Sequence, residues 1–225
     1  MGPVQVMDLL NSLKFICNAF PNQFNKNKII AYGHSHGAYL AHLCNVFMPK
    51  MFSTIIDVSG MTFPVYMEPS RAFNHNFIIG SENIKLMLVV QCQFSYLNPK
   101  ILFDPDIYKL NLWYNIRSNV TKILSFQGST DTMVLTNEKL HFLQNIPNAK
   151  CIVVDNKLMD NKIFKDTGHG CGTDYIEHFD YLIKNYDLTS VNESCIFEDQ
   201  SFQTKKFRYK IVNFANISRL ICSPL

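Results

Sequence analysis

The sequence predicts an α/β fold, a mostly parallel sheet with flanking helices, and three observations predict it. From residue 28 to residue 186, short apolar runs alternate with segments of helical period, the rhythm of right-handed strand–helix–strand crossovers. The motif Gly33-His34-Ser35-His36-Gly37 joins the first of these strands directly to the first helix after it, as a sharp strand-to-helix turn does. Finally, 225 residues of which 47% are hydrophobic suffice for one cored domain but not comfortably for two.

Each element follows from local pattern. Residues 5–20 carry Val6, Leu9, Leu10, Leu13 and Ile16 or Cys17 at helical spacing and stop near Pro21. Residues 28–32 form a short buried strand, and 38–47 a helix that ends before Pro49. Residues 54–58 form the next strand. Residues 61–112 are irregular and rich in aromatics, prolines and asparagines. They form either a cap over the site or a repacked helix with loops. A strand at 120–126 runs into Gly128, followed by a helix at 137–144, a strand at 149–155, a polar loop and a final helix at 175–183. These elements make one domain, 1–187. The extension 188–225 is polar at first and then alternates in a strand-like way around Phe202 and over 206–214. It either pairs with a sheet edge or packs as an appendage.

The turn at Ser35 carries the chemistry. A strand-to-helix turn this tight forces its central residue into a strained backbone and lifts the Ser35 hydroxyl clear of the sheet. Gly33 and Gly37 are expected where a Cβ would clash. The following helix points its N-terminus at Ser35, favouring negative charge there, and the amide of His36 is the expected oxyanion donor. The His34 and His36 side chains flank the serine and point away from it, so the base comes from elsewhere. Chain order then places an acid and a base after the serine. Asp131 follows the 120–126 strand and its glycine turn, and His169 sits in Asp166-Thr167-Gly168-His169-Gly170, on a loop able to reach Ser35 with Asp131 orienting its ring. Taken singly, an aspartate in such a turn is a turn former and a loop histidine is solvated; it is their order that joins them. Asp57 is the rival acid. His178 is the rival base, although the pattern of its helix places it at the surface.

Composition narrows the classes. The net charge is +3, and part of the excess is Lys205, Lys206, Arg208 and Lys210 around Phe207 and Tyr209, which reads as the solvated face of a strand rather than a nucleic-acid site. No apolar run reaches a membrane span. Asp8 and Lys14 interrupt any apolar leader, so a cytoplasmic location is expected. Seven scattered cysteines without a C-x-x-C pair point to reduced thiols rather than a disulfide framework or a zinc site. No metal and no cofactor is expected. The expected ligand is a small acyl or ester substrate, with neither nucleic acid nor membrane as partner.

Two stretches resemble known hydrolases. Gly2-Pro3-Val4-Gln5-Val6-Met7-Asp8-Leu9-Leu10-Asn11-Ser12-Leu13 followed by the turn resembles prolyl-oligopeptidase-like serine hydrolases. Gly33-His34-Ser35-His36-Gly37-Ala38-Tyr39-Leu40-Ala41-His42-Leu43, with Ile56-Asp57-Val58-Ser59 beyond, resembles an uncharacterised bacterial domain-of-unknown-function family with an α/β-hydrolase fold. Ala38 departs from the glycine common there. The resemblance implies Ser35 as nucleophile with Asp131 and His169 as partners, and it implies no substrate. It covers only the C-terminal part of such a fold, whose nucleophile is normally preceded by about four strands. The expectation is therefore a truncated sheet lacking its N-terminal strands and its second oxyanion donor. Its elbow strand forms an exposed edge, open to a complementary N-terminal chain or a second copy. The leading function is a serine hydrolase of esters or small acyl groups. The alternatives are a non-catalytic remnant or binding module, a thioesterase or acyltransferase, and a prolyl-oligopeptidase-like peptidase.

Overall fold

The computed structural model describes residues 2–64, 104–116, 120–190 and 194–225. The cap expected within 61–112 therefore falls largely outside the described residues. Four strands, β1 (Ile30–His34), β2 (Thr54–Val58), β3 (Lys122–Gly128) and β4 (Ala149–Val154), form a sheet in the order β1-β2-β3-β4 with every pairing parallel. Around it lie α1 (Pro3–Ala19), α2 (His36–Phe47), α3 (Leu110–Ile116), α4 (Thr136–Leu143) and α5 (Tyr175–Asn185). The sequence placed each strand of the sheet to within two residues.

Successive side chains of a strand leave on opposite faces, and the two faces fill two separate cores. Ile55 and Ile123 pack with Leu10, Leu43, Phe47 and Trp113, whereas Ile56, Phe126 and Val154 pack with Phe164 and Leu182. A strand covered on both faces needs apolar residues at every position. β2, Thr-Ile-Ile-Asp-Val, is buried at all of them and spends its one charged residue, Asp57, on an internal ion pair. Among the described strands, β1 stands last in the sheet order and is only half-buried.

The extension differs from both expectations for it. β5 (Gln200–Gln203), β6 (Phe207–Asn213) and β7 (Ser218–Pro224) form a separate antiparallel sheet that does not join the parallel one. Nor is it an appendage. Phe202, Phe207, Tyr209 and Ile211 enter the same core as α1, α2 and α3, with the Phe202 ring 5.1 Å from Trp113 and 5.2 Å from Phe47. Buried Asp104 accepts hydrogen bonds from Thr204 Oγ1 at 2.6 Å and Tyr209 OH at 2.7 Å, and Asn11 on α1 exchanges two bonds with the Ser218 backbone. Alternation in β6 puts Phe207, Tyr209 and Ile211 inward and Arg208 and Lys210 into solvent, so the basic run is the solvated face of a strand.

Candidate active site

The elbow forms where β1 hands over to α2. Ser35 has φ 52° and ψ −117°, a left-handed backbone that costs a non-glycine residue about 1–3 kcal/mol unless its surroundings impose it. They do so through two backbone bonds, Ser35 N to Val58 O at 2.9 Å and Tyr39 N to Ser35 O at 3.1 Å. At Gly33 a Cβ would lie 2.4 Å from the Ala38 amide nitrogen, so strand and helix approach this closely only because it is glycine. The matching expectation for Gly37 fails, because a Cβ there meets nothing within 4 Å. As the first residue of α2, His36 has no acceptor for its amide within the helix.

Asp131 follows β3 in a turn that fixes its carboxylate from both sides. Oδ1 accepts from the amides of Met133 and Val134, both at 2.9 Å, and Oδ2 accepts from Gln127 Nε2 at 2.8 Å. Oδ2 also lies 2.9 Å from His169 Nδ1, and His169 Nε2 lies 2.8 Å from Ser35 Oγ. Ser35, Asp131 and His169 thus come together from three separate elements, 134 residues apart at the extremes. An ionised carboxylate only accepts, so His169 Nδ1 carries a proton, and the neutral ring is left with Nε2 as acceptor for the Ser35 hydroxyl. Burial pushes the Asp131 carboxyl up, but the hydrogen bonds from His169, Val134 and Gln127 outweigh it and hold the group below its ordinary value.

The His169 loop is held from beneath. Gly170, at φ 81°, donates its amide to Ser59 Oγ at 3.0 Å. A Cβ at Gly170 would meet His34 Nε2 at 2.5 Å. His34 lies under the loop with its ring 5.4 Å from that of His169. Burial, and then the nearby His169, lowers the His34 pKa, so this ring adds no positive charge beside the relay at neutral pH. His36 turns the other way, toward Gln5 Oε1 at 3.4 Å from its Nε2. Ser59 and Gln127 support the site without any catalytic motif to announce them, and only proximity in the fold reveals their role. His34 stands in the elbow motif itself, and the fold shows that it lies under the His169 loop.

Neither rival reaches the serine. Asp57 Oδ2 is bound by His42 Nε2 at 2.9 Å and by Lys139 Nζ at 2.6 Å, and its Oδ1 accepts from the Gly60 amide at 2.7 Å. Burial acts to raise the Asp57 pKa, but Lys139 and His42 pull it well below the carboxylate range. His178 is a correction. It is fully buried rather than at the surface, with Nδ1 2.7 Å from Tyr32 OH and its ring packed on Phe126 and Phe164. Burial lowers its pKa to about 4. Cys171, two residues after His169, is buried in the core beside Phe164 with its thiol pushed up to about 12 by burial.

Among the described residues no group of three or more His, Cys, Asp or Glu side chains could hold a metal ion, and no helix is long and apolar enough to cross a membrane.

Comparison with known proteins agrees with this architecture. The family DUF2920, described as "Protein of unknown function", matches residues 1–184. An acylaminoacyl peptidase from Pyrococcus horikoshii superposes with a TM-score of 0.50 at 14% identity, covering 86% of this chain and 29% of that one. An esterase from Pyrococcus furiosus gives a TM-score of 0.49 at 17% identity, covering 81% and 60%. An α/β hydrolase from a lagoon-sediment metagenome gives 0.41 at 15% identity, covering 80% and 68%. At 14% identity the likeness to the acylaminoacyl peptidase is one of fold. No curated protein matches the sequence.

Proposed function

For a chain that belongs to the DUF2920 family and carries an α/β-hydrolase fold, we propose the activity of a serine hydrolase acting on esters or other small acyl compounds. The observation that carries this reading is the unbroken relay from Ser35 Oγ through His169 to Asp131, with contacts of 2.8 Å and 2.9 Å. In this mechanism Ser35 Oγ attacks the acyl carbonyl while its proton passes to His169 Nε2. The Asp131 carboxylate stabilises the imidazolium that results. That imidazolium returns the proton to the departing alkoxide, and the acyl group remains on Ser35. His169 then takes a proton from a water as that water attacks the acyl carbon, and returns it to Ser35 Oγ as the acyl–oxygen bond breaks and the acid leaves. The His36 amide at the head of α2 donates to the oxyanion in both halves.

An ester suits this arrangement better than an amide. An alkoxide leaves more readily than an amine, so an ester asks less of the His169 imidazolium that protonates the leaving group. A fluorophosphonate probe and a p-nitrophenyl ester test the reading together. Expected is a covalent adduct on Ser35 and ester hydrolysis, both lost in Ser35→Ala. Folded wild-type protein that neither labels nor hydrolyses would refute it and favour a binding module.

A further inference from the structure

Cys17 lies in the last turns of α1, and Cys195 lies on the segment leading into the β5–β7 sheet. The two are 178 residues apart in sequence, yet their sulfurs are 2.8 Å apart. That gap is less than about 1 Å beyond a covalent S–S bond. Both residues are half-buried, so a small oxidant reaches the pair while bulk solvent is partly excluded. Neighbouring hydrogen bonds hold each of the two segments in place. Ser194 N donates to Lys26 O at 2.8 Å, Cys195 N donates to Met51 O at 3.0 Å, and Asn18 Nδ2 donates to Ala215 O at 3.0 Å.

We infer that Cys17 and Cys195 form a modification site, an intramolecular disulfide made by a two-electron oxidant of the hydroperoxide class. Cys17 reacts first. Its thiolate sulfur attacks the peroxide, the O–O bond breaks, and a sulfenic acid forms on Cys17 as hydroxide leaves and takes up a proton. The Cys195 sulfur then attacks the Cys17 sulfur. The S–S bond forms, the S–O bond breaks, and the Cys195 proton leaves with the hydroxide as water. Two thiols lose two electrons and two protons, and one peroxide becomes two waters. Burial pushes the Cys195 thiol upward, which suits it to the second step, where its proton goes to the leaving group.

Two of the described cysteines do not compete. Cys44 and Cys171 are buried with thiols pushed up to about 12. Among the described residues Cys17 and Cys195 are the cysteine pair whose sulfurs touch. The bond ties the end of α1 to the chain entering the second sheet and restricts the unfolded chain with a very long loop. This site is independent of Ser35 chemistry.

The test uses the full chain, reduced and then exposed to a few equivalents of hydrogen peroxide. Expected is an intact mass lower by about 2 Da. Non-reduced digests should yield one cross-linked peptide pair containing Cys17 and Cys195, and the Tm should rise by roughly 5 °C or more, reversed by dithiothreitol. Cys17→Ser and Cys195→Ser, each melting normally when reduced, are expected to show none of these changes. Oxygen addition of about 16 or 32 Da without the 2 Da loss, a cross-link through any other cysteine, or cross-linking that survives in either serine variant would overturn the inference.

Discussion

Asp57 and Asp131 show how two buried aspartates diverge at the scale of single residues. Asp57 lies inside an apolar strand and Asp131 follows one through a glycine turn; both are nearly excluded from solvent, and both are held below the ordinary carboxylate pKa. What differs is the partner. Asp57 faces Lys139 and His42 inside the core, whereas Asp131 stands past the end of β3 and faces His169. Asp131→Asn keeps the volume but lets the amide hold the His169 ring in the wrong tautomer. Ester turnover is expected to fall about 10³–10⁴-fold with a small change in Tm. Asp57→Asn is expected to do the reverse, lowering Tm while kcat of the remaining folded protein changes little. Steady-state kinetics beside thermal melts separates the two. Ser35, Asp131 and His169 were legible because their order along the chain and their turns are local features. The direction of Asp57 was not, because a strand residue's face acquires meaning only when its neighbours arrive. Gly37 teaches the same lesson in reverse: a glycine in a motif suggests a steric need, yet open space surrounds it.

Among the elements, α4 carries its charge inward. Lys139 of Thr-Asn-Glu-Lys-Leu-His-Phe-Leu is wholly buried and reaches Asp57 Oδ2 and the Gly60 carbonyl. That contact ties α4 to the loop after β2. The same loop carries Ser59, which accepts the Gly170 amide beside His169. Lys139→Ala removes a buried countercharge and leaves the Asp57 carboxylate with His42 and the Gly60 amide. The expected cost is about 3–5 kcal/mol in urea unfolding, far beyond the loss of an exposed pair such as Lys50–Glu198. A stability change under 1 kcal/mol, the ordinary range of such surface pairs, would show that α4 does not depend on this bond. Alternation in β6 and helical spacing in α1 were readable because each element has one wet face. In α4 the charge is paired inside, and periodicity has no means of signalling that.

For the whole molecule, buried histidines set the acid limit. His178 sits under the sheet with a pKa near 4 against an ordinary 6.5, so the folded chain keeps it neutral where the unfolded chain protonates. Its contribution is complete above about pH 6.5 and is withdrawn as pH falls toward 4, by up to about 3 kcal/mol. The lowered carboxyls Asp57 and Asp131 act differently. Their contribution is present above the ordinary carboxylate pKa of 3.8 and is lost only at lower pH. Tm is therefore expected to fall between pH 6.5 and 4, and His178→Gln to flatten that slope. Equal slopes in the two proteins would assign the effect to His34, His36 and His42, whose pKa values burial also lowers. By itself the sequence determined the parallel α/β order, the elbow and the three residues of the relay, because these follow from periodicity, turn chemistry and chain order. Only the tertiary structure decided that the extension closes the α1–α2 core, that Lys139 and His178 lie inside, and that Cys17 meets Cys195. Those outcomes depend on which distant surfaces exclude water from one another, a quantity no local window of residues contains.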